Sequence, residues 1–395
     1  MSASSTDAHE SHSQGNASIP KTTSSVQHRF NAPNFGSRFL TDDQDVFKHN
    51  AWDHVPPPTD QDERIIQAIT RQRHAPVSEA DKTKYNANPA RHWDIFYKNN
   101  ENNFFRDRNW LHLEFPELIA TTKPDAGSIT IFEVGCGAGN TIFPLLSTNQ
   151  NPHLSVVACD FSPRAVKLVQ SHPLYTSPPA GRISAAVWDI TSSHLPPNMS
   201  PSSVDFILMI FVLSALHPDE WRQAITNLYT VLKPGGRILM RDYGRYDLAQ
   251  LRFKEGRLLA DNFYIRGDKT RVYFFSLDDL ANIFTGSDMS DLTPVNTTTT
   301  TVESEETASG DVLQETIQKD TQTTETNGSS RTVTSTPEVL ENTIHPSSDP
   351  SSLQHPLFLI EQLGVDNRLL VNRKRQLKMH RVWMQGKFDK LPQKQ

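Results

Sequence analysis

The chain has 395 residues, a formal net charge of −6, 15 histidines and two cysteines. No apolar run approaches the roughly 18 residues of a membrane span, and two cysteines give no disulfide framework. The amino-terminal stretch lacks a signal-peptide core and an Arg-rich amphipathic pattern, its first arginine being Arg29, and the histidines make no tight pair with the cysteines, so no metal site is expected.

In chain order, residues 1–32 are rich in Ser, Thr, Gln and His and read as a disordered tail. Residues 33–125 read as a helical region. Within it Asn88-Pro89 marks a helix start, with Pro89 at the first helical position. Trp93 and Tyr97 then fall at i and i+4 on one face. Spacing alone makes them core packing; a helix entering the next region could also fold over a ligand there.

Residues 126–285 carry the chemistry. An apolar strand over Ile129–Val134 runs straight into Gly135-Cys136-Gly137-Ala138-Gly139-Asn140, and a helical pattern begins near Thr141. Strand, glycine turn and helix in succession let a backbone approach a nucleotide-type ligand closely. A dinucleotide fingerprint needs a glycine where Asn140 stands. Gly135-x-Gly137-x-Gly139 is instead the form seen in S-adenosylmethionine (SAM) methyltransferases.

A second short strand ends at Asp160, at the offset where an acid accepts from ribose hydroxyls. A helix over 162–170 follows, then a third strand ending at Asp189 and Ile190, suited to an adenine amino group and an apolar wall. A fourth apolar run over 204–216 precedes a helix over 218–232, a Lys233-Pro234-Gly235-Gly236 turn and a fifth strand over 237–242. Single strand-end acids are more often caps or turn formers; two in succession after a glycine loop point to SAM. Cys136 and Cys159 read as small buried residues.

After a helix over 277–284, residues 286–356 form an acidic Thr/Ser-rich tract, expected to be a disordered insertion. Residues 357–395 are expected to complete the sheet. The insertion holds twelve acids and two bases, so the remainder carries +4. The acidic total therefore does not argue against an anionic substrate. Bases and aromatics recur together at Arg106 and Arg108, at Arg252, Lys254 and Arg257, and at Arg266 and Arg271. Such groups can hold RNA phosphates while Phe105 or Tyr264 stacks a splayed base. A solvated basic surface over buried aromatics is the competing structural reading; Arg373-Lys374-Arg375 stays equally open.

Several collinear segments carry a resemblance: Arg38-Phe39-Leu40, His49-Asn50-Ala51-Trp52-Asp53, Phe96-Tyr97-Lys98, Asn103-Phe104-Phe105-Arg106-Asp107-Arg108 and Glu114-Phe115-Pro116-Glu117-Leu118. Further on come Cys159-Asp160-Phe161-Ser162, Ile210-Phe211-Val212-Leu213-Ser214-Ala215, Arg241-Asp242-Tyr243-Gly244-Arg245-Tyr246-Asp247 and Asn262-Phe263-Tyr264. Together they resemble the tRNA N3-methylcytidine methyltransferases, over roughly 35–285 and 357–390. The branch acting on threonine tRNAs is the most similar, through the His49 to Asp53 motif and Val371-Asn372-Arg373.

The resemblance implies an α/β, Rossmann-like class I methyltransferase. Its sheet would be mostly parallel and seven-stranded with an antiparallel last strand, and a helical amino-terminal region would bind substrate. It implies methylation of cytidine-32 in the anticodon loop of threonine tRNAs, with serine tRNAs a second set, in the cytoplasm with a nuclear pool. By similarity Trp93, Tyr97, Gly135, Asp160, Asp189, Ile190 and Ile210 contact the cofactor, joined by Gly137 and Gly139 of the loop. Cytosine N3 needs no prior deprotonation, so the site must position the base and stabilise a cationic product. Asp242, ending the fifth strand, is the candidate for that; capping a turn or pairing with Arg241 is its alternative. The glycine loop by itself equally allows a small-molecule or protein acceptor. A monomer is expected, with room for a helper such as an aminoacyl-tRNA synthetase.

Overall fold

The structure is a computed structural model that describes residues 38–286 and 357–391. The expected tail over 1–32 lies outside the described residues. So does the expected disordered insertion, apart from Gly286, which ends a helix in the left-handed conformation.

Among the described residues eleven strands form in chain order: β1 (Ala51–Trp52), β2 (Ile129–Val134), β3 (Leu154–Asp160), β4 (Arg182–Val187), β5 (Val204–Ile210), β6 (Leu232–Tyr243), β7 (Leu258–Ala260), β8 (Phe263–Ile265), β9 (Arg271–Tyr273), β10 (Phe358–Asn372) and β11 (Leu377–Lys390). Eight make one sheet in the order β1-β10-β11-β6-β5-β2-β3-β4. The pairs β2·β3, β2·β5, β3·β4 and β5·β6 are parallel, and β11 is antiparallel to both β6 and β10. The last strand therefore runs antiparallel, as expected. The sheet has eight strands rather than seven because Ala51 and Trp52 pair with Leu370 and Leu369.

Successive side chains of a strand face opposite sides, so a central strand must satisfy two cores. Along β5, Ile207 and Met209 enter one buried apolar cluster while Leu208 and Ile210 enter the other. Phe132 and Ile131 of β2 divide in the same way. The helices Trp221–Val231 and Leu277–Thr285 cover the first face, and Ile142–Ser147 with Leu111–Glu114 cover the second.

From β2 the chain steps outward through β3 to β4, then returns to β5 on the other side of β2. In such sheets the crevice opens beyond the carboxyl ends of the strands where the direction reverses. The glycine turn leaves β2 at that point. The Lys233 to Gly236 turn signal is absorbed into β6, which pairs Val204 with Leu232 before a register shift.

A second sheet, β7-β8-β9, was not legible as strands. Each is three residues long, and together they bury Tyr264 and Val272 against Phe274. The amino-terminal helices Gln61–His74, Glu79–Asn86 and Pro89–Asn100 attach to this region and to the core. Val77 N donates to Leu258 O at 2.8 Å, and buried Gln72 donates to Gln250 O at 2.8 Å. A buried ionic group ties Asp53 and Glu114 of the same region to the sheet: Arg368 donates to both at 2.7 Å, while Arg241 pairs with Asp366.

Candidate active site

Gly135 and Gly137 have φ of +61° and +54°, a region that ordinary side chains rarely occupy. Space forbids a side chain as firmly as torsion does. A Cβ on Gly135 would lie 2.6 Å from a methyl of Val212, and one on Gly137 would lie 2.5 Å from the Tyr97 hydroxyl. The bare backbone thus sits under two side chains from other segments. Gly139 packs against Phe143 and shapes the turn into the next helix, away from the cleft wall.

Beyond this turn is a cleft lined by Trp93, Tyr97, Gly135, Asp160, Asp189 and Ile190 of the expected cofactor set. Its empty space, open mouth included, is about 850 Å³. Ile210 is buried in the core beneath it. Trp188, Phe211, Val212, Leu216, Glu220 and Arg271 also face the cleft. Sequence reading assigned none of them to the cofactor.

Asn88 caps the helix Pro89–Asn100 by accepting from Arg91 N. The i, i+4 spacing then presents both Trp93 and Tyr97 to the cleft. One residue after Trp93, Asp94 accepts from Ser162 Oγ at 3.0 Å and from Arg164 Nε at 2.9 Å. These bonds seat the helix directly over the end of β3.

Asp160 is 8% exposed. Its Oδ2 accepts from Gly137 N at 2.9 Å and its Oδ1 from Ser162 N at 2.8 Å. Burial pushes its pKa up to about 6, against the pull of those amides. The carboxylate therefore locks the glycine turn to the following loop, and its remaining lone pairs are open to further donors. Asp189 stands just past β4; its Oδ1 accepts from Thr191 N and Oγ1, and Ile190 O accepts from Asn227. Two acids at or just past strand ends, apolar walls and a glycine turn without side chains of its own fit SAM.

Next to the turn, Arg108 donates to Thr141 Oγ1, and the Thr141 hydroxyl bonds in turn to Glu133. Glu133 is fully buried, and desolvation pushes its pKa up to about 8. Asn140, the residue that excludes a dinucleotide fingerprint, reaches Phe105 O and Asp107 Oδ1. That side chain, together with Arg108 N donating to Asn140 O at 2.8 Å, fastens the Phe105 to Arg108 segment to the glycine loop. The burial of both thiols raises their pKa, that of Cys159 to about 12.

Asp242 is fully buried and lies off the cleft wall. Its oxygens accept from Ser214 N at 3.0 Å and Tyr243 N at 2.8 Å, and burial pushes its pKa up to about 6. Its observed contacts fix the turn after β5. Arg241, the alternative partner, turns instead to Asp366, Gln385 and Glu114.

The seven basic residues separate into three groups. Arg106, Arg252 and Lys254 are exposed, and Arg108, Arg257 and Arg266 are half-buried. Arg271 is 3% exposed, donates to Glu220 at 2.9 Å and to Ala215 O, and lines the cleft. A guanidinium held this way is part of the cleft wall, so its reading as a phosphate contact is corrected. Tyr264 is corrected likewise: it is 1% exposed, stacked on Phe253 and bonded to Gln72. Phe105 does face the cleft.

A family model described as "Methyltransferase domain" matches residues 132–238, which is β2 through most of β6. The chain is 44% identical, over 90% of its length, to the tRNA(Thr) (cytosine(32)-N(3))-methyltransferase of Saccharomyces cerevisiae, of which it spans 45%. It is 40% identical over 94% of its length to the tRNA N(3)-methylcytidine methyltransferase trm140 of Schizosaccharomyces pombe, of which it spans 97%. The Drosophila melanogaster tRNA N(3)-methylcytidine methyltransferase shares 37% identity across 90% of this chain and 88% of its own. Among solved structures, a SAM-dependent methyltransferase from Anabaena variabilis has a TM-score of 0.42 at 12% identity, covering 76% of this chain and 94% of its own. A glycine turn roofed by Tyr97, two strand-end acids and near full-length identity to such enzymes place this chain in the tRNA N3-methylcytidine methyltransferase family.

Proposed function

We propose that the chain transfers a methyl group from SAM to N3 of cytidine 32 in the anticodon loop of tRNA, with threonine tRNAs as the main substrates and serine tRNAs as a second set. What supports this most is the 40% identity running through 97% of the Schizosaccharomyces pombe enzyme. The choice of threonine tRNAs leans on the name of the Saccharomyces cerevisiae relative, of which the chain spans less than half.

When bound, the cofactor supplies an electrophilic methyl group on a sulfonium. Asp160 would accept from its ribose hydroxyls and Asp189 from the adenine amino group, with Ile190 as an apolar wall and Ile210 in the core beneath. Trp93 and Tyr97 would cover it, and the bare Gly135 to Gly137 backbone would let it come close, while Gly139 shapes the turn into the next helix. Cytosine N3 would offer its lone pair to that methyl group, the electron pair of the sulfur–methyl bond passing to sulfur. The ring leaves with a positive charge and no proton moves first. The protein's task is alignment and shelter of that charge. Asp242 contributes by holding the Ser214 turn and by its own nearby charge.

Arg106, Arg108, Arg252, Lys254, Arg257 and Arg266 are the groups for RNA phosphates, setting the register while the loop presents its base. Anticodon-loop bases are little paired, so extrusion costs little. A helper such as an aminoacyl-tRNA synthetase fits a recognition surface shared with tRNA identity. The proposal extends to a monomer working in the cytoplasm. Methyl transfer to purified total tRNA, to free metabolites and to a protein extract, run side by side, tests the reading. Label in tRNA alone is the expected result; label in either other pool with none in tRNA overturns it.

A further inference from the structure

Phe211 follows β5 directly, and its backbone takes φ of +60°. For a bulky residue that is an outlier, kept only where the surroundings over-determine it and most often at a functional site. Here the surroundings do so. Phe211 N donates to Arg241 O at 2.7 Å, and three residues on, Ser214 N is gripped by buried Asp242. The turn aims the ring into the cleft, where it remains half-exposed.

The ring has company that a filler side chain would not need. Its centroid is 4.8 Å from that of Tyr243 and 5.8 Å from that of Trp383. The Arg108 guanidinium lies 5.9 Å from the Phe211 centroid, and that of Arg266 lies 5.4 Å from the Tyr243 centroid. A cation from a distant segment therefore lies over each ring of the Phe211–Tyr243 pair, of which Phe211 faces the cleft. Aromatic faces stack unpaired bases, and cations beside them suit the flanking phosphates. An aromatic face also attracts a cation, which is what the pyrimidine becomes on N3 methylation.

We infer that Phe211 is the platform on which the acceptor pyrimidine of the RNA stacks for methyl transfer, with Arg108 and Arg266 on the flanking phosphates. The inference rests on the function proposed above. It gives the strained turn its purpose: Asp242 and Arg241 fix a backbone that aims an aromatic face at the acceptor.

The competing view makes Phe211 a packing residue alone. Asparagine adopts the left-handed region more readily than other side chains, so F211N keeps the turn and removes the ring, while F211Y keeps both. Three readouts are taken on the full chain: SAM affinity by calorimetry, melting temperature, and single-turnover methylation of a tRNA transcript. A lost base stack corresponds to roughly 5- to 150-fold. F211N is expected to methylate more slowly by about that factor, with SAM affinity and melting temperature near wild type, and F211Y to recover most of the rate. The inference is overturned if F211N methylates at the wild-type rate. It is equally overturned if F211N loses SAM affinity and melting temperature together, since the ring then serves the fold. If the wild-type chain methylates no tRNA, the proposed function itself fails, a result distinct from either.

Discussion

The hydroxyl of Tyr97 stands where a side chain on Gly137 would have to go, 2.5 Å from the position of that Cβ. The helix carrying Tyr97 and the glycine turn are therefore shaped to each other. Gly137→Ala is expected to lower SAM affinity at least tenfold, through both the collision and the positive φ. In a Tyr97→Phe background the nearest contact relaxes to the ring carbon at 3.4 Å. The same alanine then costs less, leaving mainly the left-handed penalty of about 1–2 kcal/mol. A double-mutant cycle on SAM affinity measures the difference; strict additivity would mean that the two residues do not meet in solution.

Asp160→Ala is expected to reduce SAM affinity by about ten- to a hundredfold, the value of a charge-assisted bond of roughly 1.5–3 kcal/mol. Since burial lifts this acid to about 6, wild-type affinity should climb as pH rises through that value, because the ionised carboxylate is the better acceptor. Titration calorimetry between pH 5 and pH 8 reads both effects. A flat profile would remove Asp160 from the ribose.

Glu133 has the opposite consequence, on stability. Its ordinary value is 4.5 and its buried value is about 8. Between these the folded state keeps a proton that the unfolded chain releases, so stability is full below about pH 4.5 and is lost as pH rises through 8. Glu133→Gln removes this linkage while keeping an acceptor for Thr141. Its melting temperature should gain on the wild type steadily from pH 5 to pH 8. Parallel profiles would show that Glu133 does not titrate in this range.

The buried ionic group makes a separate demand. Asp366 is fully buried against Arg241 and Arg368, and desolvation raises its pKa against the pull of those two cations. Removing one partner of such a pair strands the others, at a cost of about 3–5 kcal/mol. Asp366→Ala should lose that much in urea denaturation. A loss below about 1 kcal/mol would mean that solvent reaches the cluster.

Electrostatic attraction to RNA is best tested where it is not entangled with the fold. Arg106 and Lys254 are both exposed. Reversing both to Glu should weaken tRNA binding and flatten its salt dependence by about one unit of slope per residue, with SAM affinity unchanged. Binding curves at several salt concentrations decide it; an unaltered slope would place the RNA elsewhere.

What could be read from the sequence was local. The apolar strands, the Gly135 to Gly139 turn, the Asn88 cap and the Trp93–Tyr97 face each depend on neighbours within a few residues, and all are present, though β4 ends at Val187, short of the expected Asp189 and Ile190, and β5 stops at Ile210. Contacts set by the fold were invisible. Nothing in the order of residues puts Asn140 against Phe105, or Arg271 against Glu220 some fifty positions away. Tyr264 and Arg271 misled because a base-stacking surface and a small buried sheet share one composition, and burial alone tells them apart. Phe211 lay inside a recognised motif, but its left-handed backbone leaves no mark on the sequence.

The most direct test of the account maps the modified nucleotide itself. A threonine tRNA transcript is incubated with the full chain and SAM, digested, and read by nucleoside mass spectrometry with position assigned on fragments. The expected result is a single added methyl, as N3-methylcytidine at position 32, absent from a transcript with uridine there. A methyl at another position or atom, or equal labelling of the uridine-32 transcript, would contradict it.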